Sequence, residues 1–369
     1  LRPEFTSPTM RHYLEHAREV ATPARWHYCG PVFRFSGLDG SGKLESQATA
    51  GQFNQIGGEL IGASSTLADV ELIRLAVSVL SGAGLSRWTL QLADLNVLFS
   101  LLEPFGLSER AQTFVVQSVP RLRAGRESVA RVLDEGRHLH LVGQADAGDD
   151  LGLAVRGLDD KQARAVLLGL LQWSSTDQLG QRTPEEVVDR LLRKIRKSDN
   201  ETNLRRALES ASDLAQVRGA AVPAMAEAKE VLLSAGADQS AVARLSEISE
   251  MLSGQSDVAA NIVLDFGMLR GLAYYNGIIF EVTHSDWPVP LGGGGRYDGL
   301  ALALGAARPV PALGFAYNLD ALIALTKPPE TADKDKPSNG GTLVVSSNAL
   351  YQVEAVNTAQ DLRGQGKVA

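Results

Sequence analysis

Cysteine is nearly absent from this sequence: Cys29 is the single one in 369 residues. That excludes an internal disulfide and a thiolate metal cluster, and it fits a reducing cytosol. A cytoplasmic location is expected. Positive charge is also short, with 36 Lys and Arg against 43 Asp and Glu and a formal net charge of -7. General nucleic-acid binders carry a basic surface, so the balance argues against nucleic acid as a partner. No apolar run reaches the roughly 18 residues of a membrane span, so no membrane is expected either. The start, Leu1-Arg2-Pro3-Glu4, is neither an initiator methionine nor a signal peptide. It reads as the middle of a fold, with the N-terminal part of the core missing. There is no Walker A loop, no dinucleotide fingerprint in a βαβ setting, no esterase elbow and no repeat of fixed period.

Hydrophobic residues make up 44% of the chain and charged residues 21%, which leaves room for a substantial core. The length suits two or three domains. Ser7 and Pro8 read as the cap and first position of a helix reaching about Val20. Pro31 to Phe35 and Gln52 to Leu60 read as the two strands of a long hairpin. Ser36 to Lys43 forms a mobile loop between them by composition. Thr66 and Asp69 resemble the cap and third position of a helix carrying an apolar stripe of Val70, Ile73, Val77 and Leu80. Trp88 to Leu92 is a strand. The middle third is mostly helical, with a strong start at Thr183-Pro184-Glu185-Glu186 and a stripe of Val242, Leu245, Ile248 and Leu252. Strands return at 261–266 and 278–283. Residues 327–341 are a linker rich in Pro, Gly and charge. Beyond it, Leu343 to Val345, Tyr351 to Leu362 and Lys367-Val368 read as strand, helix and strand, too little to fold alone.

Four segments together carry a resemblance. Leu1-Arg2-Pro3-Glu4-Phe5-Thr6 comes first. Gly30-Pro31-Val32-Phe33-Arg34 with Gln52-Phe53-Asn54-Gln55-Ile56-Gly57-Gly58-Glu59 follows. Leu264 to Glu281 includes Arg270-Gly271-Leu272-Ala273-Tyr274-Tyr275-Asn276-Gly277. The last runs from Leu291-Gly292-Gly293-Gly294-Gly295-Arg296-Tyr297-Asp298 to Leu313-Gly314-Phe315-Ala316-Tyr317-Asn318-Leu319-Asp320-Ala321. They resemble histidyl-tRNA synthetases and their paralogues, the regulatory subunits of ATP phosphoribosyltransferase. The resemblance covers about residues 1–326 and is weaker in the middle.

The resemblance implies an α+β fold: a class II aminoacyl-tRNA synthetase-like core with an antiparallel sheet flanked by helices. The core would span 1–326 with a helical insertion over about 105–255. A partial anticodon-binding-like α/β domain would occupy 342–369. Glu4 and Thr6 would hold the α-amino group of histidine, because a buried ammonium needs a carboxylate and further acceptors. Gln55 and Glu59, four apart on a strand and so on one face, would line the same pocket. Arg34 and Arg270 would meet carboxylate and phosphate oxygens. Tyr274 and Tyr275 would line the imidazole pocket, packing on a flat ring and reaching its nitrogen. The glycine run would floor the pocket, and Arg296 would order that loop rather than catalyse.

The departures fall on one side. Phe5 stands where the family has Gly, and Ala273 where it has Asp. Thr49-Ala50-Gly51-Gln52-Phe53 lacks the two arginines of the synthetase pattern. Ala321 replaces the arginine that grips the ATP triphosphate. Preorganised positive charge is what such chemistry needs, so aminoacylation is not expected. The resemblance then implies a non-catalytic regulatory subunit. It would activate the short-form catalytic subunit of ATP phosphoribosyltransferase and sense L-histidine at the first step of histidine biosynthesis, as a homodimer within a hetero-octamer. A divergent histidyl-tRNA synthetase, or a histidine- or tRNA-binding paralogue with another partner, are the alternatives. No cofactor is expected. His12 and His16 sit four apart on a helix, but no Glu stands at the zincin position and no third ligand is obvious, so no metal is expected there.

Overall fold

The computed structural model describes residues 2–38, 44–139, 141–142, 158, 160–173, 183, 188, 199–254, 261–269, 274–326, 358, 361, 362 and 365. It divides into two compact units. The first comprises residues 1–97, 217–229 and 240–369; the second comprises 98–216 and 230–239.

Helix α1 (Thr6–His16) opens the first unit. It is not capped by Ser7. Glu4 accepts the Ser7 amide through both carboxylate oxygens, at 3.0 and 3.2 Å, and so satisfies an amide of the first turn from outside the helix. The helix also stops short of Val20. The amides of Glu19 and Val20 both turn back to the His16 carbonyl, which closes the chain into a turn. Met10 and Tyr13 pack α1 into a core cluster with Ile61, Tyr297, Leu300 and Ala312.

Strands β1 (Ala24–Leu38) and β2 (Leu44–Ile61) form the expected hairpin, longer than the sequence suggested. β1 lies at the end of the sheet, where Pro31 costs no interior ladder bond. Helix α2 (Thr66–Gly82) buries Val70, Ile73, Val77 and Leu80, each stabilising by roughly 1.5–3 kcal/mol relative to exposure. Its cap is Ser65, one residue before the expected Thr66; the Ser65 hydroxyl accepts the Ala68 amide at 3.3 Å. Asp69 is then free for a different task, and it is fully buried. Arg296 holds its Oδ1 at 2.6 Å, and Arg244 holds Oδ2 at 2.5 Å. Arg296 also donates to the Ala63 carbonyl and to Asp298. It therefore ties α2 to the sheet.

The remaining strands are β3 (Trp88–Asp94), β4 (Arg218–Gly219), β5 (Ile262–Asp265), β6 (Ile278–His284), β7 (Trp287–Arg296) and β8 (Ala312–Asn318). The eight strands form one sheet in the order β1-β2-β8-β7-β6-β3-β5-β4. It is antiparallel except for β3 and β5, which run parallel. A parallel pair needs a long connection, and the whole helical segment lies between these two strands in sequence. The glycine run, expected as a loop, is part of β7. On the sheet, the Tyr317 hydroxyl donates to the Ala76 carbonyl of α2 at 3.0 Å.

The second unit is helical. Helix α3 (Leu95–Leu102) carries the sequence boundary between the units. Within it, α4 (Glu109–Leu122) is capped by Ser108, α5 (Glu127–His138) follows, and a further helix spans Glu201–Gln216. Val115, Val119, Leu122, Leu133, Leu204 and Leu208 are buried along their apolar stripes. Ser212 donates to the Leu122 carbonyl at 3.0 Å. Of the helix start at 183–186 only Thr183 is described, and it is not helical; the linker 327–341 and the strands at 343–345 and 367–368 lie outside the described residues. Of the helix at 351–362, the described residues Thr358, Asp361 and Leu362 are helical.

Candidate functional site

The site is built around one carboxyl group. Glu59 lies on β2, opposite Trp26 of β1 and Gly314 of β8. It is 2% exposed. Gly314 makes the space for it: a Cβ there would stand 1.5 Å from Glu59 Oε2. Thr6, at the start of α1, donates to Oε1 at 2.8 Å, and the Tyr297 hydroxyl donates to Oε2. Burial pushes the Glu59 carboxyl up to about 8, the two hydroxyl donors partly offset this, and the Glu4 charge adds to it. Burial favours the neutral form of this carboxyl, and a cation placed beside it would favour the charged form. Glu4 is also buried.

Tyrosines wall the carboxyl. Tyr274 and Tyr275 have ring centroids 4.9 Å apart, and Tyr274 meets Tyr297 edge-on at 5.7 Å. Gly295 gives Tyr275 its place, since a Cβ there would fall 2.9 Å from its Cδ1. Burial raises the Tyr274 phenol first, and Tyr275 and Glu4 add to the shift, so it stays a neutral donor. Tyr28 on β1 donates to the Phe315 carbonyl at 3.2 Å. Phe5 stacks on Tyr28 at 4.5 Å and 9°, with the Arg2 guanidinium 3.7 Å over the Phe5 ring. The family's glycine position is thus taken by an aromatic lid on β1. Gln55 is buried, and its Oε1 has no hydrogen-bond partner among the described residues. It lies four residues before Glu59 on the same strand, about 13 Å away along the chain direction.

The structure therefore brings together Glu4, Thr6, Glu59, Tyr274 and Tyr275. Gln55 shares their strand face. Arg34 lies in β1 opposite Gly51, with its side chain outside the described residues; Arg270 is outside them altogether. Tyr28 and Tyr297 were not singled out from sequence. A tyrosine directly across a strand pair from Gly57, and one following Arg296, were the available signals.

The opposite end of β8 has another character. The helix Leu319–Leu325 begins there with Asn318 as cap. Ala321 is 1% exposed, and its amide donates to Asn318 Oδ1 at 3.1 Å. Asp320 holds the Asn54 amide at 2.9 Å and its side chain at 3.2 Å. The first turn thus presents an acid and a methyl group. Two carboxyls, hydroxyls and closely packed phenols suit a small ammonium-bearing ligand with a flat ring.

The histidyl-tRNA synthetase family model matches residues 1–136 and 168–322. The chain belongs to the histidyl-tRNA synthetase family. Within it, the chain is 26% identical over 326 residues to a histidine-tRNA ligase of Methanocaldococcus jannaschii, covering 88% of this chain and 58% of the ligase. It is 29% identical over 368 residues to an ATP phosphoribosyltransferase regulatory subunit of Moorella thermoacetica, covering 99% of this chain and 72% of that protein. The chain thus spans little more than half the length of such ligases. A solved ATP phosphoribosyltransferase regulatory subunit/histidyl-tRNA synthetase from Bacillus halodurans C covers all of this chain and 73% of its own, at 20% identity and a TM-score of 0.52. That likeness bears out the class II synthetase-like fold. Among the described residues no helix is long and apolar enough to cross a membrane.

Proposed function

We propose that the chain is a non-catalytic regulatory subunit of ATP phosphoribosyltransferase that binds L-histidine. It activates a short-form catalytic subunit and transmits inhibition by histidine, as a homodimer within a hetero-octamer in the cytoplasm. Histidine's ammonium would meet Glu4, Thr6 and Glu59, and its imidazole would pack on Tyr274 and Tyr275. Gln55 would supply the acceptor that is unused in the free protein, and Arg34 and Arg270 would take the carboxylate. Coupling requires histidine to favour one state of the complex over another.

One observation carries this reading. The amino-acid side of the site is assembled and buried, while Ala321, at the family's triphosphate arginine, is a buried methyl beside Asp320. Adenylate formation needs cationic groups at that point. The test is to mix the purified chain with a short-form catalytic subunit and follow phosphoribosyl transfer. Activity that appears on mixing and falls with added histidine is expected. A catalytic subunit indifferent to the chain would overturn the reading.

A second reading, a divergent histidyl-tRNA synthetase, is favoured by the ligase relatives at similar identity. It requires histidine-dependent exchange of pyrophosphate into ATP.

A further inference from the structure

Helix α1 presents a second cluster on its outer face. Met10 and Tyr13 point into the core, which leaves His12 and Glu15 exposed and His16 half-buried on the other side. Positions 12, 15 and 16 share one helical face, being three and four residues apart. One ligating atom from each lies within 4.8 Å of the other two. The zincin position lies directly after His12, whereas the carboxylate here, Glu15, lies directly before His16.

Three features go beyond proximity. His16 Nδ1 lies 2.9 Å from the His12 carbonyl oxygen. A carbonyl only accepts, so this contact calls for a proton on Nδ1, and a neutral ring so bonded offers its Nε2 lone pair to a ligand. Metal-ligating histidines are oriented in this way by a second bond. The His12 and His16 rings lie 4.3 Å apart, tilted by 48°, and His12 rests 5.5 Å from Trp26 on β1, which limits its rotamers. The cluster also sits in the last turns of α1, where the helix dipole favours a cation.

We propose that His12, Glu15 and His16 form a binding site for a divalent transition metal. Two imidazoles and a carboxylate suit Zn2+, Ni2+ or Cu2+ and disfavour Mg2+ and Ca2+. Three protein ligands leave a coordination position for water or an anionic group. The site lies on the helix whose first residue, Thr6, donates to Glu59. A bound ion would fasten the far end of that helix.

The test is calorimetric titration of the EDTA-treated chain with Zn2+ near neutral pH, with Cu2+ quenching of Trp26 fluorescence as a second readout. One equivalent of Zn2+ is expected. H12A or H16A weakens binding about tenfold or more, and E15Q weakens it by a smaller factor. H12A also abolishes the quenching that W26F removes. His27 and Cys29 are exposed two apart on β1, so the pair H27A/C29S is the control and should change nothing. Absence of stoichiometric uptake would overturn the proposal. So would uptake that survives H12A/H16A, or uptake that disappears in H27A/C29S. All these side chains lie on the surface or its margin, and circular dichroism checks that each variant keeps its helices.

Discussion

The two ends of the β2–β8 strand pair differ in what they have kept. At one end Glu59 is fully enclosed, bonded by Thr6 and Tyr297, and given its space by Gly314. At the other, the helix start carries Asp320 and the buried methyl of Ala321. The first end is costly to maintain, because a buried carboxyl with a raised pKa opposes folding once it ionises. The second end costs little. A protein that keeps the expensive half of a site while the other half is apolar and acidic points to a ligand that occupies only the first.

The largest effect should come from Gly314→Ala. Its Cβ cannot share space with Glu59 Oε2, and Glu59 is pinned by two donors. Stability should fall by about 2–4 kcal/mol in denaturant unfolding, with histidine binding lost. Glu59→Gln comes next. It should weaken histidine binding by about 2–5 kcal/mol in calorimetry, since it removes a buried partner of the ammonium. It should also change the pH dependence of stability. The folded carboxyl titrates at about 8, well above its ordinary value, so the folded state holds a proton that the unfolded state has released. That contribution to stability is full below the ordinary carboxylate range and is lost as pH rises towards 8. Denaturant midpoints of the native chain should fall across this window, and those of the Gln variant should fall less. Histidine binding to the native chain should release a proton near neutral pH, read from titrations in buffers of different ionisation enthalpy.

Thr6→Ala should cost about 1 kcal/mol of stability or binding, one hydrogen bond. It also removes a donor that favours the charged form, so the pH at which Glu59 ionises should move up further. The smallest effect is expected from Ala321→Arg. A single cation at that turn, beside Asp320 and without the arginines missing from Thr49 to Phe53, should not create pyrophosphate exchange. Appreciable exchange in that variant would erase the contrast between the two ends.

Some of this was legible in the residues alone. The stripe of α2 follows the helical period, and Gln55 and Glu59 fall on one face of a strand by simple alternation. Strand β7 was not legible, because its consecutive glycines carry no side chains from which to read a period, and β8 lacks a clean apolar–polar alternation. The caps were misplaced by one or two residues. Ser65 competes with Thr66, and Glu4 reaches the Ser7 amide from outside the helix. Asp69 looked like part of a local cap. Its partners, Arg244 and Arg296, lie 175 and 227 residues away in the chain, a pairing that only the folded sheet creates. His12, Glu15 and His16 on α1 were visible as letters, but not as one group with its donor atoms within 4.8 Å of one another.

The most direct measurement is titration of the purified chain with L-histidine, with and without ATP, alongside pyrophosphate release. The account predicts histidine binding that is indifferent to ATP, with no heat from ATP alone and no pyrophosphate. Mutually dependent binding of both ligands with pyrophosphate release would contradict it and make the chain an enzyme.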